Sequence, residues 1–283
     1  MIRGSRSTEE RVRGDLCPKP STLRGVDPTV LEQDQELSGI PAQFVKDVLK
    51  DLAPRLLAGI NCTSLDPTSA PSPDKQLPSH ARCIFAPSLA PESSPVRPNF
   101  LLALTFPARD PSSHSSPTRI LVPCHSLVYS LASPLFPFIS HDPEEEEEDE
   151  NDVDESATST EPPSPSLCVL PILGPIELPS LPAFAILHAF LHTRSLSALQ
   201  HSLTTTPPSP SRLPSPPPSP RLGESQSPSG STARRNSMDR TEAQELMDKI
   251  QNLRTTAIRL QISDPVLWQG MSSSWNQVIS QLP

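Results

Sequence analysis

The sequence predicts an α+β protein: a small mixed core with flanking helices, set in a large disordered fraction rich in proline and serine. The chain has 38 prolines among 283 residues and only 4% aromatic residues, whereas an average chain carries about 5% proline. Its apolar residues gather in a few windows, some patterned as strands and others as helices. Because proline fixes φ and lacks an N–H, the segments between these windows cannot form continuous helix or sheet.

Three apolar runs predict the strands of the core. The run at 99–106 is closed by Pro107, and a polar loop leads from it to the run at 119–122. Two such runs joined by a polar loop predict an antiparallel pair. Apolar character resumes at 167–172, which predicts another strand.

Two helices accompany these strands. The first follows the second strand and ends near Pro134, and the second begins close to Ser180, a suitable N-cap. The apolar positions that define them are Leu127 and Phe136 in the first, and Phe184, Leu187 and Leu191 in the second.

An amphipathic helix is predicted before the core. Phe44 and Leu49 belong to a set of apolar residues at helical spacing on one face, and Pro54 is expected to bend or split the helix. Packing on the core of its own chain is favoured over docking on a partner.

Two helices are also predicted at the C-terminal end. The second begins at Asp264-Pro265, a cap followed by a first-turn proline, and carries Trp268 and Trp275. So short a unit cannot bury both of its faces. It therefore either docks on the core or binds a partner.

An acidic run interrupts the core. The stretch from Asp142 to Glu155 holds eleven acidic residues and no basic one, against a net charge of −9 for the whole chain. Mutual repulsion keeps such a stretch solvated and extended. The rest of the chain is slightly positive and has no basic face, so direct nucleic-acid binding is not expected.

These features divide the chain into six parts. In order they are a disordered N-terminus (1–38), an amphipathic helix packing on the core (39–60), a Pro/Ser-rich linker (61–98), the α+β core (99–203) with its acidic insertion (141–166), a disordered Pro/Ser-rich linker (204–238) and the C-terminal helical pair (239–283).

The cysteines predict an intracellular protein, in the nucleus, the cytoplasm or both. There are five, widely spaced and never in a C-x-x-C pair, so neither a disulfide framework nor a zinc site is indicated. No window reaches the roughly 18 consecutive apolar residues of a membrane span.

The sequence predicts neither an enzyme nor a cofactor. His188 and His192 are four residues apart, but the spacing reads HAFLH, without the glutamate of H-E-x-x-H. The adjacent pair Cys124-His125 is a poor catalytic dyad, because neighbours in an extended chain point apart. No G-x-S-x-G or phosphate-binding glycine loop occurs.

Phosphorylation is a more informative pattern. Four serines match Ser-Pro-x-Lys/Arg, the sequence that proline-directed kinases favour, and another follows two arginines. Each phosphate adds about −1.5 to −2 charge, enough to alter docking. The candidate sites are Ser72, Ser94, Ser116 and Ser209 for a proline-directed kinase, and Ser237 for a basophilic kinase.

The core resembles a divergent BTB/POZ domain over residues 97–203. There a strand leads into a histidine-containing helix ending Ser-x-x-Phe, and a later strand precedes a helix of the pattern "lp-x-x-F-x-x-l-x-x-f-l-y-t". The matching residues here are His125, Leu127, Ser133 and Phe136, then Leu178, Phe184, Leu187, Phe190, Leu191 and Thr193. The acidic run and the loop before Arg119 depart from that pattern.

The whole chain resembles the Clampless family of basidiomycete fungal regulators. The resemblance is carried by four blocks, FVKDVLKDLAPRLLAGI, LVPCHSLVYSLASPLF, LPSLPAFAILHAFLHT and LWQGMSSSW. It implies a non-enzymatic protein of sexual development, needed for clamp-cell formation and dikaryotic growth downstream of the mating-type programme. Its expected partners are proteins, among them transcription or cell-cycle regulators. The alternatives are a BTB-like substrate adaptor of a ubiquitin ligase and a proline-rich signalling scaffold.

Overall fold

The α+β class is confirmed in a computed structural model, which combines one five-stranded sheet with a layer of helices. The structure describes residues 28–69, 76–90, 94–107, 117–139, 164–205 and 238–282, together with Pro20, Leu23 and Glu92. The acidic run and nearly all of the 204–238 linker lie outside these residues. The predictions of disorder made for them therefore stay predictions.

The sheet draws its strands from both sides of the acidic run. Its order is β1-β2-β5-β3-β4, with β5 parallel to β3 and every other neighbouring pair antiparallel. The last strand in the sequence therefore lies in the centre of the sheet. The strands are β1 (Thr63–Leu65), β2 (His80–Phe85), β3 (Phe100–Phe106), β4 (Thr118–Cys124) and β5 (Ser166–Glu177).

The predicted antiparallel pair is confirmed as β3 and β4, which align Phe100 with Cys124 and Phe106 with Thr118. Beside β3, strand β5 shifts register next to Gly174. This glycine has a φ of 115°, and a Cβ there would lie 2.6 Å from the carbonyl oxygen of Ala103. The close approach and the positive φ together explain why glycine occupies the position.

Seven α-helices lie in the described residues, and two of the helices predicted from the sequence are each split into two. Leu52 separates α1 from α2, with Pro54 in the first turn of α2, as the proline predicted. Arg194, with a φ of 52°, ends α4 before α5 begins. The helices are α1 (Ala42–Asp51), α2 (Ala53–Asn61), α3 (Ser126–Ser130), α4 (Leu181–Thr193), α5 (Leu196–Thr204), α6 (Arg240–Arg259) and α7 (Pro265–Ser280).

The C-terminal helices dock on the core, which decides between the two alternatives left by the sequence. Helix α6 packs against α4, and α7 packs against α5. The Ser133 hydroxyl donates to the carbonyl oxygen of Leu260 at 2.6 Å, and the Ser263 amide donates to the carbonyl oxygen of Ala132 at 2.9 Å. Trp268 and Trp275 are buried in the same apolar cluster as the core helices.

Three predictions need correction. The 61–98 segment is not a linker throughout, because β1 and β2 complete the sheet. The 1–38 segment is not wholly disordered, since a 3-10 helix at Pro28–Gln33 buries Leu31 in the core. Phe44 is not a core residue: its side chain is 60% exposed, whereas Val45 and Leu49 face inward. The buried stripe of α1 is narrower than its apolar stripe.

Candidate functional site

Two histidines of one helix meet a third from a distant part of the sequence. His125 is the residue before α3, where β4 ends, and His188 and His192 lie one turn apart on α4. Tyr129 of α3 completes the group. Its ring contacts that of His188, the His188 ring contacts that of His192, and the His192 ring contacts that of His125. We call these four residues the histidine cluster.

The cluster is joined by short polar contacts. The Nδ1 atom of His125 lies 3.3 Å from Nε2 of His192, and Tyr129 Oη lies 2.7 Å from Nδ1 of His188. The Nε2 atom of His125 lies 3.2 Å from the carbonyl oxygen of Val96. The cluster therefore connects α4 to the corner between β4 and α3, and to the segment that leads into β3.

The neutral network has one hydrogen too few to satisfy all of its contacts. His192 Nδ1 lies 2.8 Å from the carbonyl oxygen of His188, so this nitrogen carries the hydrogen and Nε2 accepts. His125 then faces an acceptor at each ring nitrogen, although a neutral imidazole has a single N–H to donate. A proton added to His125 would satisfy both contacts.

Burial nevertheless keeps the cluster neutral. It lowers the pKa of His125 to about 4 and, with help from the nearby His125, that of His188 to about 4. Burial also lowers the pKa of His192 well below its usual value. The two hydrogen-bond acceptors around His125 favour its charged form, whereas burial favours its neutral form. The two effects therefore oppose each other.

Cys124 adjoins the cluster without becoming a nucleophile. Burial raises the pKa of its thiol and that of the Tyr129 hydroxyl far above their usual ranges. A thiol must ionise to attack, so this one is inert at neutral pH.

A buried ion pair holds α7 to the end of α4. Arg194 donates through Nη1 to Oδ2 of Asp264, and both side chains are at least 90% buried. The other carboxylate oxygen of Asp264 caps α7 by accepting from the amides of Val266 and Leu267 at 2.9 and 3.3 Å. The sequence predicted the cap, and it gave no sign of the ion pair.

The structure separates buried from exposed side chains among the sequence positions that are candidates either for the core or for interaction with a partner. Only Phe44 is exposed, and Leu127 is half-buried against the core. The others are buried, which assigns them to packing within the chain. They are Leu49, His125, Phe136, Phe184, Leu187, Leu191, Trp268 and Trp275.

Two exposed apolar patches were not predicted as surfaces. Val48 extends the surface of Phe44 by one helical turn on α1, and it is 40% exposed. Leu167 and Val169, at the start of β5, are 72% and 57% exposed. The sequence carries no signal for this open face, because residues 167–170 form a continuous apolar run.

Of the candidate phosphorylation sites, only Ser94 lies in the described residues. It is exposed and directly precedes the segment that reaches His125. Ser72, Ser116, Ser209 and Ser237 lie outside the described residues.

Within the described ranges, no three His, Cys, Asp or Glu side chains are grouped to hold a metal ion. No helix there is both long and apolar enough to cross a membrane.

The family comparison matches the first part of the chain. The family model of the Clampless protein 1 N-terminal domain matches residues 20–179, more than half of the sequence. This chain belongs to the Clampless family. The match runs from before α1 to just beyond β5, so it contains every strand of the sheet. No curated protein matches, and no solved structure matches. The resemblance of the core to a BTB/POZ domain therefore stays a prediction.

Proposed function

We propose that this protein is a non-enzymatic regulator of fungal sexual development. It acts in clamp-cell formation and dikaryotic growth, downstream of the mating-type programme, through contacts with other proteins. Membership of the Clampless family is the observation that carries this proposal. The expected partners are transcription or cell-cycle regulators in the nucleus or cytoplasm.

The distribution of polar groups supports a binding role over a catalytic one. The histidine cluster and Cys124 are titratable groups of the core with strongly shifted pKa values, and burial holds them in their neutral forms. Catalytic acids and bases need a reachable substrate and a pKa near the working pH. The exposed apolar side chains of α1 and of β5 are, by contrast, available to a partner.

A deletion strain tests the proposal. Loss of the gene is expected to abolish clamp cells or growth as a dikaryon, while vegetative growth continues. Reintroducing the full chain should restore both. A deletion strain that forms normal clamps and grows as a stable dikaryon would contradict the proposal.

A second strain separates binding from catalysis. Replacing Cys124 by Ala and, in another strain, His125 by Gln removes the thiol and the imidazole that a reaction at the cluster would require. If the protein works by contact alone, each variant that accumulates to the wild-type level should restore clamps. A folded, normally accumulating variant without function would instead indicate chemistry at the cluster.

A further inference from the structure

Residues 94–97 form a strap that crosses α2 on its way to β3. The Arg55 guanidinium donates through Nε to the carbonyl oxygen of Ser94 at 2.9 Å, and the Val96 amide donates to the carbonyl oxygen of Arg55 at 3.0 Å. One arginine therefore holds the strap through both its side chain and its backbone.

The strap lies tightly against the helix and above the histidine cluster. A Cβ at Gly59 would lie 1.6 Å from the carbonyl oxygen of Val96, so only glycine admits the strap at this point. The same carbonyl oxygen faces Nε2 of His125 at 3.2 Å. The position of the strap is thus coupled to the interior of the core.

The strap begins with a serine in the Ser-Pro-x-Arg sequence, Ser94 to Arg97. Ser94 is exposed and has a φ of 42°, a left-handed conformation that is unfavourable for a serine. The Arg55 side chain is also exposed, and the Nε group of its guanidinium contacts the backbone of Ser94. A hydroxyl that accepts a phosphate and a fork of donors that binds one are therefore adjacent.

We propose that Ser94 is a phosphorylation site whose phosphate is captured by Arg55, which locks the strap onto α2. In the reaction the Ser94 hydroxyl oxygen attacks the γ-phosphorus of ATP in a proline-directed kinase. The O–P bond forms, the bond to ADP breaks, and the hydroxyl proton passes to the base of the kinase. The product carries about two negative charges beside the guanidinium.

The order of events follows from the geometry. A kinase needs the serine in an extended segment, whereas docked Ser94 is left-handed. Undocking breaks the two hydrogen bonds with Arg55 and the contact between the Val96 carbonyl oxygen and His125, each of modest net strength. The kinase thus acts on the released strap, and the phosphate gains its charge-assisted contacts when the strap returns. This inference does not depend on the developmental role proposed above.

The experiment uses the purified full chain, a proline-directed kinase and MgATP. Four proteins are treated alike: wild type, Ser94→Ala, Arg55→Gln and Arg240→Gln. Arg240 is an exposed arginine at the start of α6, far along the chain from the strap, and serves as the matched control. Peptide mass spectrometry reports phosphate on Ser94, thermal unfolding reports Tm, and hydrogen exchange reports protection of the Val96 amide.

Treatment is expected to raise the Tm of the wild type by roughly 2–4 °C more than it changes the Tm of Ser94→Ala, since one strong surface contact shifts a chain of this size by about that amount. Protection of the Val96 amide should rise with it. In Arg55→Gln both gains disappear, while the initial rate of Ser94 phosphorylation increases several-fold because the strap loses its side-chain contact and is released more often. Arg240→Gln behaves as the wild type.

Two results would overturn the proposal. One is the absence of phosphate on Ser94 in both the wild type and Arg55→Gln. The other is a gain in Tm and amide protection that is missing in the wild type or persists in Arg55→Gln. Each comparison is made with and without kinase in one background, so any loss of stability from a substitution itself cancels.

Discussion

Strands β2 and β3 belong to one sheet, with only β5 between them, yet they are buried in different ways. Six of the seven β3 residues are buried, so both faces of that strand are covered. In β2 the buried residues Ala81, Cys83 and Phe85 alternate with exposed or half-buried ones. Burial along this sheet is therefore decided by what lies above each strand, and a strand's place in the interior of the sheet does not guarantee it.

The difference arises on the face of the sheet that carries the helices. Phe100, Leu102 and Leu104 of β3 pack there against the helical layer, whereas Leu101 and Ala103 face a smaller cluster on the other side. β2 contributes Ala81 and Cys83 to that smaller cluster. Its pairing with β5 puts Arg82 opposite Val169, both exposed, so the helices do not extend over this end.

The largest expected effect is a loss of stability at low pH. It distinguishes the buried histidines on the covered side of the sheet from His80, which is exposed on β2. Burial lowers the pKa of His125 and of His188 to about 4 in the folded chain, whereas the ordinary value of 6.5 applies in the unfolded chain. Between these two pH values the unfolded chain therefore binds more protons than the folded one. Stability is full above about pH 6.5 and falls as the pH drops towards 4, by on the order of 3 kcal/mol for each of the two.

Urea unfolding between pH 7 and pH 4 measures this loss. His125→Gln and His188→Gln should each show a smaller loss than the wild type, and His80→Gln should match the wild type. Equal pH dependence in all four proteins would show that the covered side does not hold its histidines neutral.

The next effect concerns the helices that provide the cover. Asp264→Ala removes the cap of α7 and leaves Arg194 buried without its partner, so we expect a loss of about 4 kcal/mol. Asp239→Ala is the matched control, since Asp239 holds the same position in α6 but makes no side-chain cap bond. It should cost less than about 0.5 kcal/mol. Denaturant midpoints at neutral pH would settle the comparison, and similar losses would contradict it.

The smallest effect tests the sheet itself with one substitution at two places. Leu102→Ala on β3 should cost about 3 kcal/mol, because the side chain is fully buried and leaves a cavity. Leu167→Ala at the start of β5 should cost under about 1 kcal/mol, because that side chain is 72% exposed. A large loss at Leu167 in urea unfolding would mean that the open end of the sheet is covered in solution.

The same contrast explains which strands the sequence predicts. The run at 99–106 is continuously apolar over 100–104 because β3 has neighbours on both faces, and such a run stands out from its Pro- and Ser-rich surroundings. β2 alternates and includes His80 and Arg82, so only Cys83 to Phe85 were visible as an apolar stretch. Its pairing partner, β5, lies more than eighty residues further on, beyond the reach of local pattern.

The residues of the candidate sites also divide into those that local sequence predicts and those that only the fold brings together. The spacing of His188 and His192 was evident because both lie on one helix, and the cap at Asp264 follows from the chain's own neighbours. Their partners are set by the fold: His125 reaches His192 across 67 residues and Arg194 reaches Asp264 across 70. The local pattern of a single sequence carries no sign of such distant contacts.

The central place of β5 also bears on how the chain can be made. A ribosome releases β2 and β3 long before β5, and until then each of them has one edge with unpaired backbone groups. Nascent chains that stop within the acidic run would expose both edges at once, a state prone to aggregate. The stretch that ends just after β5 is the shortest one that closes the sheet, and the family match ends at the same place. The highly charged run that precedes β5 in the sequence would keep the waiting chain soluble during that interval.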